Sequence, residues 1–278
     1  MHVNMEQAKA HLKEHGWVTI PNAISKEVAS KALGKLWEAS AESQARGEPS
    51  HVPYLDPNAH NVRVFNLMEG DKIFRDLVSD PAAVEMVKSV FGESFLISNL
   101  SANIARPGAK SMALHSDQSF GFPEPWQGIW VMNAIWCLSD VTKENGATLY
   151  IPGSNKWTSR KDIPDNAPEL LVPLEGKAGD LIVMDGRLWH TSGSNVTQDQ
   201  DRAMLFGYYT YPMMRPIVNW TAKLNKELQN SLSPDLRQWL ALDVYGNVPV
   251  LADMRYLSEQ FPNKKVPGQE VLTEAGAA

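Results

Sequence analysis

Between Phe95 and Tyr211 the chain breaks into short apolar segments, each closed by turn-forming residues. The segments are FLISNLSANIA, MALHSDQ, IWVMNAIWCLSDV, ATLYIP, LLVPL, DLIVMD and AMLFGYYTY. Between them stand stretches such as RPGAK, KENG, PGSN, EGKAGD and NVTQDQD. Gly, Pro, Asn and Asp supply the backbone angles that chain reversals need. Several short strands in succession, with no helical pattern between them, predict an antiparallel sandwich, jelly roll or barrel.

The flanks follow a helical period. In SKEVASKALGKLWEAS, Val28, Ala32, Leu33, Leu36 and Trp37 fall on one stripe, with Ser25 as N-cap. In DPAAVEMVKSVFG, Asp80 caps, Pro81 suits the first helical position and Gly92 the residue past the end. RGEPSHVPYLDPNAHN reads as a polar loop, and Ser233 and Pro234 open a further helix in SPDLRQWLAL. The expected fold class is mainly β with flanking helices. One domain is expected over 1–278: a mainly helical part at 1–93, a β core at 94–212 and a helical part at 213–278.

Composition removes several classes of function. A formal charge of −6 argues against a nucleic-acid surface, which needs a basic stripe. Cys137, the one cysteine, lies in NAIWCL and reads as a buried strand residue without a disulfide partner, in a reducing setting. No run approaches the roughly 18 apolar residues of a membrane span. MHVNMEQAKAHLKEHGW has no signal-peptide pattern, and TEAGAA matches no peroxisomal or reticular address. The expectation is a cytoplasmic protein with no nucleic-acid or membrane partner; a homodimer stays open.

Chemistry concentrates in ALHSDQSF. His115 and Asp117, at i and i+2, would share one face of a strand, and burying them costs several kcal/mol unless compensated. A hydrogen bond between them or a metal ion would serve. His190, in GDLIVMDGRLWHTSGSN, follows an apolar strand and completes a two-His-one-carboxylate set, the arrangement that leaves open positions on non-haem iron(II). A satisfied histidine at a strand end is the alternative. Arg202 follows NVTQDQD, and a hairpin there would return it beside His190. A guanidinium near a metal suits a cosubstrate with a carboxylate at one end and a chelating 2-oxo acid at the other, as in 2-oxoglutarate. Taken alone, Arg202 reads as a solvated charge.

HGWVTIPNAIS, LHSDQ, WCLSDVTKENGATLYIPGSNKW and GDLIVMDGRLWHTSGSN with DRAMLFGYY together resemble the phytanoyl-CoA dioxygenase family, from about Gly16 to about Tyr211. These iron(II)- and 2-oxoglutarate-dependent oxygenases have a double-stranded β-helix, or jelly-roll, core. The resemblance implies that His115, Asp117 and His190 ligate Fe(II) and that Arg202 holds the distal carboxylate of 2-oxoglutarate, with O2 as the other cosubstrate. It implies a cosubstrate hydroxyl from Thr148 and a metal-facing amide at Asn133. Many relatives carry Gln where Ser116 stands, a side chain that should point away from the metal. No basic cluster for a CoA ester is evident, so the expected substrate is a hydrophobic natural product such as a terpenoid or alkaloid. Hydroxylation is the default outcome; desaturation, epoxidation and rearrangement share its chemistry, and Asp117 occupies the place a halide would need. Two other readings are a jelly-roll metalloenzyme without 2-oxoglutarate and a non-catalytic module that binds metal or a small molecule.

Other features read as structural. Asp180 and Asp185 bound a strand as turn residues, and both GSN triplets are turns. His51, Tyr54 and His60 read as residues of a solvated loop, with lining of a pocket mouth as the alternative. Trp126, Trp130, Trp136, Trp157 and Trp189 are expected mostly in the core, with one or two free to wall a substrate cavity.

Overall fold

The structure is a computed structural model that describes residues 4–121 and 123–243. In chain order the elements are α1 (Met5–His15), β1 (Trp17–Ile20), α2 (Lys26–Ala45), β2 (Asn61–Val64), α3 (Lys72–Val78), α4 (Pro81–Phe91), β3 (Leu96–Ala105) and β4 (Val131–Cys137). There follow β5 (Thr148–Tyr150), β6 (Val172–Leu174), β7 (Leu181–Asp185), β8 (His190–Ser192), β9 (Arg202–Thr210), α5 (Trp220–Lys223), α6 (Lys226–Ser231) and α7 (Pro234–Trp239).

Helix starts sit where the capping residues put them. Ser25, Asp80 and Ser233 each accept a hydrogen bond from a backbone N–H of the first turn, and Pro81 and Pro234 occupy the opening helical positions. The buried stripe of α2 runs through Ala29, Ala32, Leu36, Ser40 and Ser43. Leu33 and Trp37 pack at its margin, and Val28 is left exposed. The stripe is thus rotated from the expected one toward smaller side chains, which let the helix lie close to its neighbours.

The strands form two antiparallel sheets, a large one in the order β1-β7-β4-β9-β3-β2 and a small one in the order β6-β5-β8. This is the jelly-roll core. Period-two alternation divides the side chains of the large sheet between two environments. Leu181 and Val183, Met132, Ala134 and Trp136, Ala203 and Leu205, and Leu100, Ala102 and Ile104 pack into one cluster with the flanking helices. Ile182, Met184, Ile135, Cys137 and Met204 face the other way and meet Tyr150 and Leu174 of the small sheet. On β3 the positions of that inner face are polar, namely Asn99, Ser101 and Asn103. The sandwich therefore closes on apolar contacts under β4 and β7 and leaves a polar-walled cavity under β3 and β9.

Three strand expectations are corrected. The N-terminal part supplies β1 and β2, which form the two edges of the large sheet. Each is four residues long, too short for a periodic signal. MALHSDQ is not a strand: only His115 pairs, in an isolated bridge, and Asp117 begins a 3-10 turn over Asp117–Phe120. Arg202 and His190 do not share a hairpin, because β8 belongs to the small sheet and β9 to the large one. Within 213–278, where helix was expected, the described residues hold α5, α6 and α7; residues 244–278 lie outside the described residues. No helix among the described residues is long and apolar enough to cross a membrane.

Candidate metal centre

His115 and His190 are far apart in the chain but exchange both backbone hydrogen bonds, His115 N to His190 O at 2.9 Å and His190 N to His115 O at 2.7 Å. A mutually bonded antiparallel pair sets its two side chains on one face, and here the imidazole centroids are 4.4 Å apart. His190 also pairs with Tyr150 of β5, which ties it into the small sheet.

Asp117 arrives by a different device. Ser116 is fully buried, and its Oγ accepts from Ser119 N to cap the 3-10 turn. Gln118, also fully buried, clamps that turn on three sides: its N–H donates to Gly186 O, its Nε2 to Gly128 O, and its Oε1 accepts from Trp130 N. Gly186 packs so tightly on β4 that a Cβ there would meet Val131 Cγ2 at 2.1 Å. The turn is thereby seated against the large sheet, and Asp117 Oδ1 lies 4.0 Å from His115 Nε2.

Hydrogen bonds also determine which atoms are free. Nδ1 of His115 lies 2.8 Å from Ala113 O, and Nδ1 of His190 lies 2.8 Å from Leu188 O. A carbonyl oxygen only accepts, so each Nδ1 carries a proton, which in the neutral ring leaves Nε2 to present its lone pair. Burial, reinforced by the neighbouring His190, pushes the His115 imidazole down to about 4, so it is neutral at pH 7. Asn133 Nδ2 donates to Asp117 Oδ2 at 2.6 Å, which leaves Oδ1 available. Ligand atoms of the three residues all lie within 4.8 Å of one another. Two lone pairs and a carboxylate oxygen that converge without a shared proton repel one another unless a cation joins them. The donor set, two imidazole nitrogens and one carboxylate, fits Fe(II).

All six expected site residues, His115, Asp117, Asn133, Thr148, His190 and Arg202, border one cavity of about 170 Å³. β9 runs along it. Arg202 and Met204 are buried, whereas Phe206 and Tyr208 are partly exposed, so the cavity is closed at the Arg202 end and open toward the metal triad. Tyr208 stands opposite Asn133 in the strand register. Burial and the nearby Asp117 raise its phenol far above the ordinary value, so the hydroxyl stays protonated.

Arg202 is not a solvated charge. It is 1% exposed, donates from Nε to Gly146 O at 3.0 Å and from Nη1 to Asn103 Oδ1 at 2.9 Å, and meets no carboxylate among the described residues. Burial, with a contribution from the Arg63 cation, pulls its guanidinium down to about 10. A buried cation whose partners are neutral oxygens is costly and is suited to an anionic ligand.

Several residues that shape the site escaped sequence reasoning. Asn99, Ser101 and Asn103 border the cavity, and the alternation N-x-S-x-N in SNLSAN was a readable sign of a polar strand face. Arg63 also borders it, held by a two-pronged ion pair with buried Asp56 at 2.7 Å in both branches. Nothing local in NVRV announces that role. None of Trp126, Trp130, Trp136, Trp157 and Trp189 borders the cavity; Trp126, Trp136 and Trp189 are buried in the core. Asp180 accepts from the N–H groups of Asn22 and Lys177, and Asp185 pairs with Arg187, as turn residues do. Cys137 is buried in β4, and burial raises its thiol to about 12.

Replacing Asn133 by Ala is expected to weaken Fe(II) binding by about 10- to 100-fold, the usual effect of losing a group that orients a ligand. Anaerobic Fe(II) titration checks it. Unchanged affinity would mean that the 3-10 turn alone holds Asp117 in place.

The family model for phytanoyl-CoA dioxygenase (PhyH) matches residues 12–204. Dioxygenase af480 of Aspergillus fumigatus is 61% identical over 265 residues, which cover 95% of this chain and 85% of that protein. Among solved structures, the epimerase SnoN in complex with Fe3+, alpha ketoglutarate and nogalamycin RO superimposes with a TM-score of 0.61 at 18% identity, over 87% of this chain and 96% of its own. HygX from Streptomyces hygroscopicus, with nickel and 2-oxoglutarate bound, gives 0.60 at 14% identity, over 78% and 90%. At those identities the likeness is one of fold.

Proposed function

The chain belongs to the phytanoyl-CoA dioxygenase family and is an iron(II)- and 2-oxoglutarate-dependent dioxygenase; from that premise we propose that it oxidises a hydrophobic small molecule of secondary metabolism, with hydroxylation as the default outcome. His115, Asp117 and His190 would hold the iron through two Nε2 atoms and Oδ1. Iron(II), with 2-oxoglutarate and O2, supplies the oxidising chemistry when bound. The observation that carries the reading is the pairing, in one cavity, of a three-residue donor cluster with a buried arginine that meets no carboxylate among the described residues.

The protein's part is placement and exclusion of water. With Nε given to Gly146 O and Nη1 to Asn103, Arg202 would offer a distal carboxylate charge-assisted hydrogen bonds from Nη2 at the closed end of the cavity. Thr148, 8% exposed on β5, borders the same space. Ile135, Met184 and Met204 give the cavity an apolar patch, and a substrate seated at the open side would complete the exclusion of bulk water. At the open side, the Phe120 ring lies 5.4 Å from that of His115 and is 69% exposed. A lipophilic substrate would cover that ring, and the protonated Tyr208 hydroxyl beside Asn133 would orient a polar group on it. A terpenoid or alkaloid skeleton suits these surfaces, and the SnoN structure, from nogalamycin biosynthesis, is a precedent for natural-product chemistry on this fold.

The test is an anaerobic titration of metal-free protein with Fe(II) and then 2-oxoglutarate, followed by the visible charge-transfer band of the chelate. The band is expected in the wild type and absent in His190→Ala. Folded wild-type protein that takes up metal but never forms the band would support a binding module, or a metalloenzyme without 2-oxoglutarate. Screening lipophilic compounds for stimulated succinate release then addresses the substrate.

A further inference from the structure

Asn103 occupies a position that electrostatics would give to a carboxylate. It stands directly across from Arg63 in the register of β2 and β3, and it accepts from Arg202 Nη1 at 2.9 Å. Arg63 is already neutralised by Asp56, so the one guanidinium that Asn103 meets, that of Arg202, faces a side chain that is 5% exposed and neutral. Its orientation is determined by chemistry: Arg202 can only donate, so the amide turns Oδ1 toward it and Nδ2 away. That Nδ2 is buried with no hydrogen-bond partner among the described residues, and the side chain borders the cavity. An orphaned buried N–H2 beside a buried guanidinium is a pair of donors waiting for an acceptor with two oxygens.

We propose that Asn103 is a second anchor for the distal carboxylate of 2-oxoglutarate, its Nδ2 donating beside the Arg202 guanidinium. The proposal rests on the reading of Arg202 given above. The neutral amide has two effects. It holds Arg202 in its rotamer through Oδ1, and it leaves the cation uncompensated, so the balancing charge comes from the ligand. An aspartate of the same size would satisfy Arg202 internally and close the site to anions.

Calorimetric titration of Zn(II)-loaded protein with 2-oxoglutarate and with 2-oxobutyrate, which keeps the 2-oxo acid and lacks the distal carboxylate, tests this without turnover. Asn103→Ala should bind 2-oxoglutarate about 10-fold more weakly and 2-oxobutyrate as the wild type does, the loss of one hydrogen bond to a charged group. Asn103→Asp should lose about 100-fold or more toward 2-oxoglutarate, and the ligand-free variant should melt above the wild type because Arg202 gains a carboxylate partner. Equal losses for both acids, or 2-oxoglutarate affinity unchanged in either variant, would overturn the role of Asn103. A wild type that fails to prefer 2-oxoglutarate over 2-oxobutyrate would remove the Arg202 reading as well.

Discussion

An Asp117→Ala variant is expected to lose Fe(II) affinity by more than about 100-fold, and turnover with it, while melting within a few degrees of the wild type. A missing ligand should exceed the effect of a missing orienting group, which is itself about 10- to 100-fold. The fold should survive because the turn that carries Asp117 is held by its neighbours. Gln118 N donates to Gly186 O, Ser119 N to Ser116 O, and the Gln118 amide bridges Gly128 and Trp130. The aspartate side chain contributes one hydrogen bond, from Asn133. Metal analysis and a melting curve on the same sample decide the matter. A folded variant that keeps its iron and its turnover would remove the metal assignment.

Arg202→Met separates binding from stability with opposite signs. Its 2-oxoglutarate KM should rise about 100-fold or more while Fe(II) binding is unchanged, because the charge and the Nη2 donors disappear together. Lysine should not rescue it: Nε and Nη1 donate to two different acceptors, Gly146 O and Asn103 Oδ1, and an ammonium on a single stem cannot match that fork. Stability should stay level or rise. The guanidinium pKa is lowered in the fold, which means that the folded protein holds the cation less well than water does, so the charge is a cost at neutral pH. An apolar chain of similar length relieves that cost without opening a cavity. A marked fall in melting temperature with the 2-oxoglutarate requirement intact would make Arg202 a structural residue instead.

The candidate site was picked out by residue types. His115, Asp117, His190, Arg202, Thr148 and Asn133 were all named from the chain and its resemblance, and all border one cavity. Ser116, expected to point away from the candidate ligands, is buried and its Oγ caps the turn. How the residues meet was not visible. A shared strand face was the expected device for His115 and Asp117. Instead a two-residue bridge joins the histidines, and a 3-10 turn, pinned through Gln118 to a loop and to β7's far end, delivers the aspartate. Asn133, expected to face the metal, donates to Asp117 Oδ2.

The sequence by itself determined the local events: turns at Gly- and Asn-rich separators, caps at Ser25, Asp80 and Ser233, and the two-faced period of β3. These depend on a residue and its near neighbours in the chain, and such information is written along one dimension. Tertiary structure alone decided that β1 and β2 close the edges of the large sheet, that Arg202 meets the site across the sandwich, and that Arg63 and Asp56 stand beside it. The physical reason lies in pairing. Strand partners and buried charges are chosen by long-range burial, where an edge N–H finds a carbonyl or a cation finds an anion only after both sheets have formed. Asn103 shows the difference most clearly: its place on a polar strand face could be read from the chain, but its orphaned Nδ2 exists only because the folded sandwich turns Oδ1 toward Arg202.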